Sequence, residues 1–165
     1  MMAVRDRVIR GLRLATVQVL ALMSSMRAVD AGMRVARSFS CSSGACGMLR
    51  VTGDLDGIVA VCCSRRLARE IVSGIVGVPV TELTDEDLLD GMSELANMIC
   101  GGMKTQIGIA SSRVALSPSS AILGGDYVAQ WKTSGETVVM AFHVDTGKGQ
   151  GGGEQEDLLE VHASF

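Results

Sequence analysis

The stretch DLLDGMSELANMICGGMKTQI, residues 87–107, separates into two faces when wound at about 100° per residue. Leu88, Met92, Leu95, Ile99 and Met103 fall on one stripe. Asp87, Asp90, Glu94, Asn97, Gly101 and Lys104 fall on the opposite one. The spacing predicts an amphipathic helix with its apolar stripe in a core. Glu94 and Asn97, three residues apart, then point the same way into solvent. Thr84 is a strong N-cap, followed by carboxylates at Asp85, Glu86 and Asp87 that suit the positive end of a helix dipole. Thr84 with Asp87 approximates a capping box, and the helix is expected to run to about Ala110. Gly101 and Gly102 each cost about 1 kcal/mol against Ala in a helix. Gly102 borders the apolar stripe, where it permits close packing. Gly101 lies on the polar stripe one turn after Asn97, where it leaves room for another protein's backbone.

On either side of this helix the chain breaks into shorter elements. Residues 4–27 keep an apolar stripe through Val4, Val8, Leu12, Val19, Leu22 and Met26, which predicts a first helix. Asp30, Ala31 and Gly32 read as a connection, and Met33 to Cys41 as a strand. Cys46–Val51 and Gly57–Cys63 read as a hairpin around TGDLDG. Ser64 caps a short helix to about Ser73, ended by Gly74, Gly77 and Pro79. Beyond Ser112, Val114–Leu116, Ile122–Trp131 and Thr137–Val144 are expected strands, the last two joined as a hairpin through Thr133, Ser134 and Gly135. The expected fold class is α+β. A mostly antiparallel sheet is packed by an N-terminal helix, a short helix and the long central helix, because short connections favour antiparallel neighbours. Residues 1–145 form one domain in this reading. The abrupt change to GKGQGGGEQEDLLEVHASF predicts a flexible Gly-rich tail over 146–165.

Composition narrows the function. The chain has 165 residues, enough to bury a sizeable core, and that core must be aliphatic, since only five residues are aromatic while ten are Met. A net charge of −3 with both signs scattered gives no basic stripe for nucleic acid. No apolar run approaches the ~20 residues of a membrane span. Arg5, Arg7, Arg10 and Arg13 precede an apolar run in the manner of a signal peptide, but Asp6 and Gln18 interrupt it, so none is expected. The five Cys are odd in number, two of them adjacent, with no Cys-x-x-Cys pair. They read as small buried thiols in a reducing cytoplasm. Neither His143 nor His162 has a partner at ligand spacing, so no metal or cofactor of the chain's own is expected.

No Walker-type loop, Gly-x-Ser-x-Gly or His-based pair occurs. Glu94-x-x-Asn97 is the arrangement with chemical potential. An Asn is neither acid nor base, but it can donate and accept hydrogen bonds and so orient a water. Phosphoryl hydrolysis needs such an in-line water more than a strong base. On spacing alone, polar residues three apart on a helix are ordinarily just a solvated face.

Asp90, Glu94 and Asn97, flanked by Leu95, Met98, Ile99, Gly101 and Lys104, resemble the signature helix of the CheC/CheX/FliY chemotaxis phosphatases. The order of elements over residues 1–145 resembles that family more weakly, and the single motif is similar to the CheX type. The resemblance implies hydrolysis of the phosphoaspartate of a CheY-like receiver domain. Asn97 would orient the attacking water, and Glu94 would pair with a receiver lysine. Mg²⁺ would belong to the receiver, and the chain would form a homodimer. Pro118 stands earlier than the family's proline, and Met92 and Ser93 replace smaller residues, departures that bear on partner choice. Two other readings share the fold: a receiver-binding module without hydrolysis, and a flagellar-switch-like scaffold. Retention of both Glu94 and Asn97 discriminates for the enzyme, since a scaffold would not need an exposed Asn beside a glycine.

Overall fold

The structure is a computed structural model that describes residues 3–37, 39–41, 44–109, 113–125, 129–131, 135–147 and 158–165. Three helices cover one face of an antiparallel sheet. The first, α1, spans Val4–Ser24 and buries Val8, Leu12, Ala15, Thr16 and Leu20. Thr16 and Ser24 can sit in this interface because their hydroxyls donate to Leu12 O and Leu20 O, at 2.8 and 2.7 Å.

Strand β1 spans Arg27–Ala36, six residues earlier than expected. The turn chemistry of Asp30–Gly32 makes a bulge within the strand instead of a break. The register shifts between Asp30 and Gly32, Gly32 adopts a φ of 115°, and its N–H donates to Asp30 Oδ1 at 2.8 Å. Phe39–Cys41 is a separate short strand, β2. The expected hairpin is present as β3, Gly44–Gly53, and β4, Gly57–Cys63. Helix α2, Arg65–Val76, starts where Ser64 accepts from the Leu67 N–H. It passes through Gly74, which lies against Ser24 of α1, and stops at Gly77 with a φ of 71°. A 3-10 turn at Val80–Glu82 leads to the central helix α3, Asp85–Gln106.

The second half departs further from expectation. Val114–Leu116 is β5, but the stretch read as one strand to Trp131 is divided. Ser120–Gly124, β6, pairs with β3, whereas Ala129–Trp131, β7, pairs with β2 in a two-stranded ladder apart from the main sheet. The expected hairpin with Thr137–Asp145, β8, is therefore not formed, and Thr133 and Ser134 lie outside the described residues. The largest correction concerns the end of the chain. Leu158–Ser164, placed in a flexible tail by its glycine-rich approach, is β9, and it lies between β4 and β8. Both its neighbours bury it, so Leu159, Val161 and Ala163 enter the helix-side core. Residues 148–157 lie outside the described residues.

The main sheet runs β1-β8-β9-β4-β3, and β5 and β6 share the far edge of β3. Period-2 alternation sorts its side chains. Ala45, Leu49, Val51, Val59, Val61 and Cys63 face the helices. Cys46, Met48, Ala60 and Cys62 form a second cluster on the other face.

Candidate functional site

The polar face of α3 is built from its N-terminus onward. Thr84 Oγ1 accepts from the Asp87 N–H at 3.1 Å, and the Thr84 N–H donates to Asp87 Oδ2 at 2.8 Å. The full capping box fixes where the helix begins, and so which residues face outward. These bonds from Thr84, the backbone one foremost, hold the Asp87 carboxyl below the usual carboxylate range. Arg69 of α2 donates to Val80 O and Leu83 O at 2.7 and 2.9 Å, anchoring the approach to the cap. Arg65 pairs with Asp85 across the same junction.

The inner stripe of Leu88, Met92, Leu95, Ile99 and Met103 is fully buried. Small residues let neighbours close on three sides. A Cβ on Gly91 would meet Val72 of α2, and one on Gly102 would stand 2.8 Å from Ala15 Cβ of α1. From below, Gly47 of β3 comes so near that a Cβ there would lie 2.0 Å from Met92 O. With α1, α2 and β3 all seated against its backbone, α3 has little freedom to rotate. Gly47 is a positioning residue that sequence reasoning missed. Its signal is a glycine in the middle of a strand, which marks a close backbone approach.

Asp90, Glu94 and Asn97 are exposed on the outer face. Among the described residues, no side-chain hydrogen bond or ion pair engages Glu94 or Asn97. Around Gly101 there is open space: among the described residues, nothing beyond its own turn of helix comes within 4 Å of where its Cβ would stand. The surface thus offers a carboxylate, an amide with both donor and acceptor capacity, and a bare patch of helix, in line over about two turns. Among the described residues there is no group of three or more His, Cys, Asp or Glu that could hold a metal ion. No described helix is long and apolar enough to cross a membrane.

Comparison with known proteins places the fold. No curated protein matches the chain by sequence. Several solved structures share its fold. The chemotaxis protein CheX of Desulfovibrio desulfuricans superposes with a TM-score of 0.78 at 17% identity, covering 94% of this chain and 97% of that one. CheX of Vibrio vulnificus gives 0.77 at 17% identity, covering 95% and 97%. The CheX–CheY–BeF3–Mg²⁺ complex of Borrelia burgdorferi gives 0.66 at 15% identity, covering 95% and 96%. The family described as chemotaxis phosphatase CheX matches residues 45–143, a span that takes in most of β3, α2, all of α3 and most of β8. With more than half its length matched and the whole fold shared, the chain belongs to the CheX family, within the CheC/CheX/FliY chemotaxis phosphatases.

Proposed function

We propose that this chain hydrolyses the phosphoaspartate of a CheY-like receiver domain and so ends a chemotaxis or other two-component signal. The observation that carries the reading is the outward placement of Glu94 and Asn97 together on α3, beside the open space at Gly101. The Borrelia relative, solved as a complex with CheY, BeF3 and Mg²⁺, supports a receiver as the partner.

In the proposed reaction α3 lies along the receiver's phosphorylation site. Glu94 pairs with a receiver lysine and fixes the register of docking. Asn97 reaches the phosphoryl group, and its amide oxygen accepts a hydrogen bond from a water while its NH₂ remains free to donate. The water so held attacks phosphorus in line, the bond to the aspartyl oxygen breaks, and inorganic phosphate leaves a restored carboxylate. Mg²⁺, held by the receiver, offsets charge on the phosphoryl oxygens. The chain itself supplies orientation and needs no titrating group.

The proposal places the protein in the cytoplasm, where receivers act, and makes it a homodimer. In support of the latter, β1 ends the sheet and leaves Val29, Met33 and Val35 about half exposed along it. The test is loss of acyl phosphate from a receiver loaded with acetyl phosphate. Asn97→Ala should lower the rate on the order of 100-fold while complex formation survives. Equal rates for the two proteins would sink the water-orienting role. Glu94→Ala should weaken binding first, with the rate at saturation less affected.

A further inference from the structure

On the sheet face away from the helices, Cys46 of β3 and Cys62 of β4 are directly opposed in the antiparallel register. Their sulfurs are 3.1 Å apart, the Cys62 thiol donating to Cys46 Sγ. We propose that these two residues are a modification site, a dithiol that a peroxide converts to an intramolecular disulfide and a reductant restores.

Three observations support it. Directly opposed residues of antiparallel strands have Cα atoms about 4.5–5.5 Å apart, inside the span a disulfide bridges, so the bond can form without moving the strands. Cys63 and Cys100 cannot compete. Cys63 follows Cys62 in sequence but faces the helices, as strand alternation requires. Cys100 is buried in α3 within the helix-side core, on the opposite side of the sheet from Cys46 and Cys62. Lastly, the two residues differ in exposure: Cys62 is 6% exposed and Cys46 is not exposed at all.

That difference orders the chemistry. Peroxide oxidises the Cys62 thiol to a sulfenic acid and leaves as water. The Cys46 sulfur then attacks the Cys62 sulfur, and the sulfenic oxygen departs with a proton as a second water. Two thiols are oxidised, one peroxide is reduced, and a dithiol reductant reverses the step. The product staples β3 to β4 beside Gly47, the residue that seats α3. The oxidation itself is independent of receiver dephosphorylation.

The test uses the full chain treated with hydrogen peroxide, alkylated, digested without reduction and mapped by mass. The expected result is a Cys46–Cys62 crosslinked peptide lighter by two hydrogens, abolished by dithiothreitol, with Cys63 and Cys100 recovered as thiols. The oxidised protein should also melt above the reduced one, because the crosslink restricts the unfolded chain. Cys46→Ala should lose the crosslink and accumulate a sulfenic acid at Cys62 that dimedone traps. Should the variant not fold, the wild-type map decides alone. A disulfide to Cys41 or Cys63, crosslinks between chains, or intact thiols at 46 and 62 under peroxide that oxidises glutathione would each overturn the proposal.

Discussion

Gly47 of β3 lies beneath the carbonyl of Met92, two residues before Glu94, so close that no side chain fits between strand and helix. The obstruction is backbone, which cannot swing aside as the end of a flexible side chain can. Gly47→Ala should therefore lift or tilt α3 and cost about 1–3 kcal/mol, in the manner of overpacked cores. A lower midpoint in urea, together with a reduced dephosphorylation rate although Glu94 and Asn97 are intact, is the expected pair of results. Unchanged stability would show that the strand can withdraw.

Gly101→Ala should move stability the other way. Among the described residues no other element comes near the position, so the methyl meets none of them, and the better helix former adds about 0.5–1 kcal/mol. Receiver binding should fall all the same, since in the proposed complex the added group would stand where the partner's backbone comes close. Titration of a phosphorylated receiver beside a thermal melt checks both signs at once. A variant that is more stable and binds equally well would remove Gly101 from the docking surface.

On the far side of the sheet, Glu160 accepts from Arg34 at 3.1 Å and lies 3.0 Å from His162 Nε2. The hydrogen bond to His162, with help from Arg34, holds the Glu160 carboxyl below its ordinary 4.5 against the opposing effect of burial. A depressed carboxylate contributes stability that is fully present above its unfolded value. That contribution is lost as pH falls through the lower folded value. Glu160→Gln should thus be less stable than wild type at neutral pH. The difference should shrink as pH drops below 4.5 and vanish once both chains carry a neutral side chain. Urea midpoints measured down a pH series decide it, and a gap that widens in acid would contradict the assignment.

A chain ending at Gly147 should not fold. It lacks β9, whose residues pair with Ile58–Cys63 on one side and with Thr137–His143 on the other. Loss of cooperative thermal unfolding in the truncated protein is the expected outcome. A sharp transition near that of the full chain would mean that β4 and β8 can close on each other.

The central helix was legible because its signals are local: a cap at Thr84, carboxylates in the first turn and an apolar stripe at helical spacing. The same periodicity put Glu94 and Asn97 on the outer face. What failed depended on partners distant in sequence. Asp30–Gly32 carries turn residues, yet pairing with β8 keeps it in a strand as a bulge. Ile122 and Trp131 belong to one apolar stretch, yet β3 takes one end and β2 the other. Leu158–Ser164 is short and contains Glu160 and His162, so nothing local marks it as a central strand. Gly47 likewise gains its meaning from a helix over 40 residues away, which no local pattern in β3 announces.

The position of β9 also sets an order in time. Until Leu158–Ser164 has left the ribosome, the main sheet is two pieces, β1 with β8 and β4 with β3 and its edge strands. Each piece presents an unsatisfied row of backbone donors and acceptors where β9 will lie, the kind of edge that recruits wrong partners. Helix α3 is made before β9, so the sheet beneath it is joined only after the helix exists. A newborn chain should therefore need shelter for those two edges until β9 arrives, and only then should α3 rest on a complete sheet.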